Sequence, residues 1–319
     1  MPEKIEKIIV IPDELGGMRL DQALVKLLTD FSRTTIKDWI DNAEITVDDK
    51  KPKASQTVVG GETIIIQAHL KQQPEWDAEP IALNVVFEDD ALIVINKPAG
   101  MVVHPAAGNP SNTLLNALLH HAPELQLLPR AGILHRLDKN TSGLLVIAKT
   151  ASSLKNLSQQ LKSRLISRIY QAVVSGVITS GGTIDEPIGR HPLQRKRMTV
   201  IETGKTAITH YRVLDRYRAH TRVKVQLETG RTHQIRVHFA HIHHPLLGDP
   251  TYNGRLQLPK GASPALIKQL RQFKRQALHA CELGFIHPTT QKPMVWQAPL
   301  PDDMHTLIEY LKEDQKTHE

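Results

Sequence analysis

Between residues 132 and 149 the chain reads GILHRLDKNTSGLLVIAK. Two apolar runs are interrupted by a polar knot of His135, Arg136, Asp138, Lys139, Asn140, Thr141 and Ser142, which ends at Gly143. Apolar runs of this kind seek a core, so the knot must be a loop that the core presents. It offers one carboxylate beside Arg and Lys, with hydroxyls and a glycine to shape the turn. A lone Asp among cations stays ionised and suits a nucleophile or an electrostatic stabiliser. The plainer reading is an Asp that caps a turn through its own backbone. Ordinary glycosidases fit poorly, since they set two carboxylates around the scissile bond.

Periodicity divides the rest. Residues 1–16 read as an N-terminal extension and 17–69 as a small α/β module. In that module Leu20, Leu24, Leu27 and Leu28 recur at helical spacing, as do Ile36, Trp39 and Ile40, with Ser32 as a candidate N-cap. Strand-like runs at 45–47 and 62–67 follow. Arg33 and Lys37 stand four apart and share one helix face. Residues 70–80, LKQQPEWDAEP, are polar, carry two prolines and read as a linker. From 81 to 319, strand-like runs (83–87, 91–95, 143–149, 170–175, 221–228) alternate irregularly with helices, clearest at 113–121 and 152–165. Without a regular βαβ cadence or a GxGxxG loop, a doubly wound sheet is excluded in favour of α+β with a mixed, mainly antiparallel sheet. The closing EDQKTHE is expected to fray.

Composition narrows the partners. The 319 residues carry 40 Lys plus Arg against 33 Asp plus Glu, a net +7. From Arg190 to Arg236, nine Arg and three Lys face three acids, and an Arg-rich window suits a phosphate polyanion. Arg190, Arg195, Lys196, Arg197 and Arg231 are its candidate contacts. The single cysteine, Cys281, permits neither an internal disulfide nor a Cys-rich zinc site. His238, His241, His243 and His244 lack a carboxylate or Cys at ligand spacing, so no metal is expected. The first residues are too charged for a signal peptide, and no apolar stretch can span a bilayer. A soluble, cytoplasmic, basic protein without membrane contact is expected.

The polar knot resembles the signature of the RluA-type family of RNA pseudouridine synthases, HRLD followed by a Thr-Ser-Gly turn. Four further segments are similar to family motifs, in order: Asn96–Gly100 with Val103-His104-Pro105; Arg168 to Ala172; Thr229 to His238; and Gln276 to Ala280. Residues 17–69 resemble the S4-type RNA-binding domain that precedes many of these catalytic domains, although 1–75 carry ten basic against thirteen acidic groups. The resemblance implies Asp138 as catalytic aspartate, Arg236 as its ion-pair partner and Tyr170 as the ring stacked on uracil. It further implies Arg136 as the side chain filling the stack left by a flipped base, and Leu278 as lining the uracil pocket. His135 is expected to bond the loop at the substrate pocket, and Arg33 and Lys37 to contact RNA.

The implied reaction is uridine to pseudouridine, without cofactor or metal. HPAAGNPSNTLLNALLHH and GDPTYNGRLQLPKGAS are similar to members acting on 23S rRNA of the large ribosomal subunit, which implies the helix 69 stem-loop and a monomer. Two other targets stay open: further 23S rRNA sites, and a non-catalytic role as an RNA-binding ribosome assembly factor. A nucleosidase would need a second carboxylate near Asp138, and none is apparent locally.

Overall fold

Apolar residues two apart on strands and three or four apart on helices account for the architecture of the computed structural model. It describes all residues except 1–3, 30, 32, 70–75, 107, 195, 196, 255, 257 and 319. The chain forms two units, Met1–Glu75 and Trp76–Glu319.

In the first unit β1 (Lys4–Val10), α1 (Leu20–Leu27), α2 (Arg33–Asp41), β2 (Ile45–Val47) and β3 (Thr63–His69) follow one another. The sheet order is β1-β3-β2, antiparallel throughout. Leu20 and Leu24 of α1 and Ile36, Trp39 and Ile40 of α2 bury their stripes against Ile64 and Ile66 of β3. Residues 1–16 are therefore more than an extension: β1 pairs with β3 from Lys4↔His69 to Val10↔Thr63. Its charges hide the period, because only Ile5 and Ile9 pack on the core while Ile8 stays exposed. Ser32 lies outside the described residues. So do 70–75 of the expected linker, whose remainder is strapped down in the second unit. There the Asp77 carbonyl accepts from Asn116 Nδ2 at 2.7 Å, and the Glu79 carboxylate accepts the Asn112 N–H at 3.0 Å.

The second unit runs β4 (Val85–Glu88), β5 (Leu92–Lys97), α3 (Leu114–His121), β6 (Ser142–Ala148), α4 (Ala151–Lys162), β7 (Ser167–Ser175), β8 (Gly182–Asp185), β9 (Ile188–Arg190), β10 (Met198–Val200), β11 (Ile208–Arg216), β12 (His220–Leu227), α5 (Gln234–His241), α6 (Pro264–Gln272), β13 (Leu278–Ile286), β14 (Pro293–Gln297) and α7 (Asp302–His318). Among the described residues nine strands form one sheet, ordered β4-β5-β6-β13-β7-β12-β11-β8, with β14 on β13. β9 and β10 form a separate ribbon. The sheet is mixed and mainly antiparallel, its one parallel pair among the described residues being β6 with β13. Both faces of its centre are covered. Ile93, Ile95, Leu145, Ile147, Ala172 and Val223 pack with α3 and with Phe239 of α5, whereas Leu92, Val94, Leu144, Val146 and Leu283 pack with Leu157 and Trp296. That is why β6, SGLLVIA, is buried at every position.

Gly143 fixes how closely β6 meets β13. Its φ is +120°, and a Cβ there would collide with the carbonyl oxygen of Ala280. The close pairing brings the polar loop before β6 alongside Leu278 at the start of β13. Gly143→Ala combines a steric clash with a disfavoured backbone, so it is expected to lower the stability of the second unit by about 2–4 kcal/mol. Denaturant unfolding of the full chain checks this, and a midpoint equal to wild type contradicts the strict spacing.

Candidate active site

Every carbonyl of the turn after Asp138 is held. The Asp138 carbonyl accepts the Thr141 N–H at 3.0 Å, and that of Lys139 accepts the Gly100 N–H at 2.8 Å and Lys97 Nζ at 3.1 Å. The Asn140 carbonyl accepts from Arg275 Nη1 at 3.3 Å, and Arg275 is itself anchored on Asp303 at 2.6 and 2.7 Å. Lys97 is fully buried and also donates to the carbonyls of Pro98 and Met101 at 2.8 and 2.9 Å. Burial pulls its amine down to about 7, against the opposing pull of the Asp138 carboxylate. Its three acceptors match the three hydrogens of an ammonium, so the loop is built around the charged form.

The turn is thus made by backbone and neighbouring cations, and the Asp138 side chain is left for the cleft. Its Oδ2 accepts from Arg236 Nη1 at 2.9 Å, and His233 Nε2 stands 3.9 Å from Oδ1. Arg236 is 5% exposed. Its Nε and Nη2 grip Asp249 Oδ2 and Oδ1 at 2.7 and 2.9 Å. Asp249 Oδ1 in turn accepts the N–H groups of Thr251 and Tyr252. Burial opposes the charge on Arg236, but the Asp249 and Asp138 carboxylates outweigh it and hold the guanidinium protonated. The Tyr252 ring lies 5.0 Å from that guanidinium, and its hydroxyl meets His233 Nδ1 at 2.9 Å. His233 adopts left-handed φ of +57° just before α5, which turns its ring toward Asp138.

A cleft of about 890 Å³ opens over this pair, and Asp138, Arg236, Tyr170, Leu278, Arg136 and His135 all line it, with Arg231. Tyr170 and Leu278 are buried, on β7 and β13. Burial raises the Tyr170 phenol, and nearby Asp138 adds to the effect, so it stays protonated. Burial and the charge of Arg168 push His135 down to about 3, so its imidazole is neutral. Arg136 is exposed at the mouth.

The remaining candidates lie elsewhere. Arg190 ends β9, exposed, and Arg197 stacks 5.2 Å from the Tyr252 ring. Arg195 and Lys196 lie outside the described residues. Arg33 and Lys37 belong to the first unit, where Arg33 donates to the buried Asp21 at 2.7 Å. The basic window is not one open surface. Arg218 pairs with Asp314, Arg222 with Asp215, and Arg216 donates to the Ile178 carbonyl. His238 spends both ring nitrogens, on Thr209 and the Glu186 carbonyl. Among the described residues no three His, Cys, Asp or Glu gather as a metal site.

Sequence reasoning overlooked Asp249, Lys97, Arg275 and His233 as parts of the site. A charge ending an apolar strand, as Lys97 does in LIVINK, is the signal that would have found it.

A profile of the RNA pseudouridylate synthases matches residues 91–241. The chain is 51% identical over 316 residues to the ribosomal large subunit pseudouridine synthase D of Pseudomonas aeruginosa, covering 99% of each. It is 49% identical over 321 residues to the enzyme of the same name from Escherichia coli, covering 100% of this chain and 98% of that one. The chain belongs to the RluA-type family of RNA pseudouridine synthases. The solved structure of Human RNA Pseudouridylate Synthase Domain Containing 4 superimposes with a TM-score of 0.56 at 25% identity, covering 72% of this chain and 93% of that one. No helix among the described residues is long and apolar enough to cross a membrane.

In a synthase built this way Asp249 aims Arg236, and Arg236 aims Asp138. Asp249→Asn keeps the volume but removes the charge that fixes the guanidinium. Single-turnover pseudouridine formation is expected to fall about 10- to 100-fold from misplacement alone, with RNA affinity within about twofold. An unchanged rate contradicts the relay of orientation.

Proposed function

We propose that this enzyme isomerises specific uridines of 23S rRNA, in the helix 69 stem-loop of the large ribosomal subunit, by an Asp138-dependent route with base flipping. The observation that carries the proposal is a carboxylate held by Arg236 on one oxygen and offered to a polar cleft beside Tyr170 and Leu278. The names of these relatives supply the large-subunit target. We assign 17–69 as an S4-like RNA-binding module, 70–80 as the joint and 81–319 as the catalytic domain. Arg33 and Lys37 in the first, and Arg190, Arg195, Lys196, Arg197 and Arg231 in the second, contact phosphates.

The reaction breaks N1–C1′, turns the uracil and joins C5 to C1′, while a proton leaves C5 and one is gained at N1. Substrate and product are isomers, so no oxidant or energy source is consumed. Asp138 acts as an anion in each available route, whether it attacks sugar or base or takes a ribose proton to give a glycal. Arg236 holds that anion charged and aimed. The Tyr170 ring stacks on the uracil, and its phenol, protonated at rest, takes part in the later loss of the C5 proton only by passing on its own hydroxyl proton as it accepts one. Arg136 at the mouth fills the stack that the uridine leaves. A neutral His135 shapes the loop and is no acid at working pH.

Asp138→Asn removes one charge and little volume, so fold and RNA binding persist while turnover is expected to vanish. Residual activity within about tenfold of wild type, a barrier change of only ~1.4 kcal/mol, overturns the assignment. Tritium release from 5-tritiated uridine is the assay. Arg136→Ala is expected to fail mainly on a structured stem-loop and much less on a short unstructured RNA, whose uridine is already unstacked. Equal losses on both at saturating enzyme would reassign Arg136 to shaping the Asp138 loop.

A further inference from the structure

One buried charge in the cleft has no counter-charge among the described residues. Arg168, on β7, is 7% exposed and lines the cleft. Its Nε is buried without a hydrogen-bond partner. No carboxylate among the described residues pairs with its guanidinium. The neighbouring acid is already taken, since Glu228 Oε2 accepts from Arg164 Nη1 at 2.6 Å and Oε1 meets His210 at 2.7 Å. His135, the ring whose basicity Arg168 depresses, is neutral and supplies no anion. A buried, unpaired guanidinium is costly and is kept where something outside the chain completes it. Space is kept for it too. A Cβ on Gly230 would lie 2.7 Å from Arg168 Nη1, so the glycine lets the fork lie against the Thr229–Arg231 backbone.

Position names the missing partner. Arg168 and Tyr170 are two apart on one strand, so their side chains leave the same face, roughly 6–7 Å apart along β7. That is the reach of a single nucleotide whose base lies on Tyr170. A planar fork of N–H donors suits a phosphate more than a neutral uracil carbonyl, because only the anion offsets the buried charge.

We propose that Arg168 is the binding residue for the 5′-phosphate of the flipped uridine, so that the nucleotide is held at both ends, base on Tyr170 and phosphate on Arg168. The inference rests on the synthase reading and adds the substrate group that reading leaves unassigned. It also explains a sacrifice: the free enzyme carries an unfavourable charge that the substrate relieves, so RNA entering correctly gains more than RNA bound outside the cleft.

The test crosses two enzymes with two RNAs. Wild type and Arg168→Met act on a stem-loop whose phosphodiester 5′ to the target is either native or a neutral methylphosphonate. Both RNAs carry a 2′-O-methyl on the preceding ribose. On the native linkage Arg168→Met is expected to slow single-turnover conversion about 10- to 100-fold, the worth of a charge-assisted hydrogen bond. On the methylphosphonate the two enzymes should agree within about threefold, since the partner is gone. Equal losses on both linkages overturn the proposal and make Arg168 structural. A second readout needs no RNA. Removing an unpaired buried charge should leave the thermal midpoint of Arg168→Met equal to or above wild type, whereas a fall of several degrees shows that the protein itself partners Arg168 and overturns the proposal. Wild-type conversion of the native stem-loop separately tests the synthase reading, so the two can fail independently.

Discussion

One guanidinium is shared by two carboxylates at the centre of this molecule. Arg236 faces Asp249 with two donors and Asp138 with a third. Asp249 is sealed off and bonded again by two backbone N–H groups, whereas Asp138 opens on the cleft. The buried acid therefore neutralises and fixes the arginine, and the open one stays an anion with a direction. Breaking such an arrangement at one member leaves an uncompensated buried charge, which costs far more than the net worth of the pair.

The sheet exists in a form that allows this. β6 and β13 run parallel at a spacing that only glycine at 143 permits, and the Asp138 turn hangs from the start of that contact. Lys97, Gly100 and Arg275 then take up its carbonyls. The Asp138 turn is thus fixed through its backbone, and Arg236 directs the carboxylate that it carries into the cleft.

Much of this was legible from the residues. The polar knot between apolar runs marked the Asp138 loop, and the even spacing of Tyr170, Ala172 and Val174 marked one face of β7. Arg236 could be named, but its burial could not, because a helix of polar and apolar residues gives no face away. Asp249 was hidden for another reason: Gly-Asp-Pro reads as a turn, and only tertiary structure shows the acid pointing inward to Arg236. β1 was lost because Lys7 stands at an inward position between Ile5 and Ile9 while the apolar Ile8 and Val10 are exposed, which breaks the alternation expected of a half-buried strand. Local patterning finds side chains that answer to a core; it misses those that answer to one distant partner.

The basic window has a consequence for selectivity. Asp215 and Asp314 occupy Arg222 and Arg218, so two of the nine arginines that composition counts are matched by acids in the scaffold. The acids act as governors on adhesion. An RNA enzyme must leave every wrong strand quickly, and an ungoverned belt of arginines would grip them all through counterion release. By tying these two arginines into the scaffold, the molecule trims its long-range attraction. Discrimination is left to the pocket, where a uridine must fit to be held.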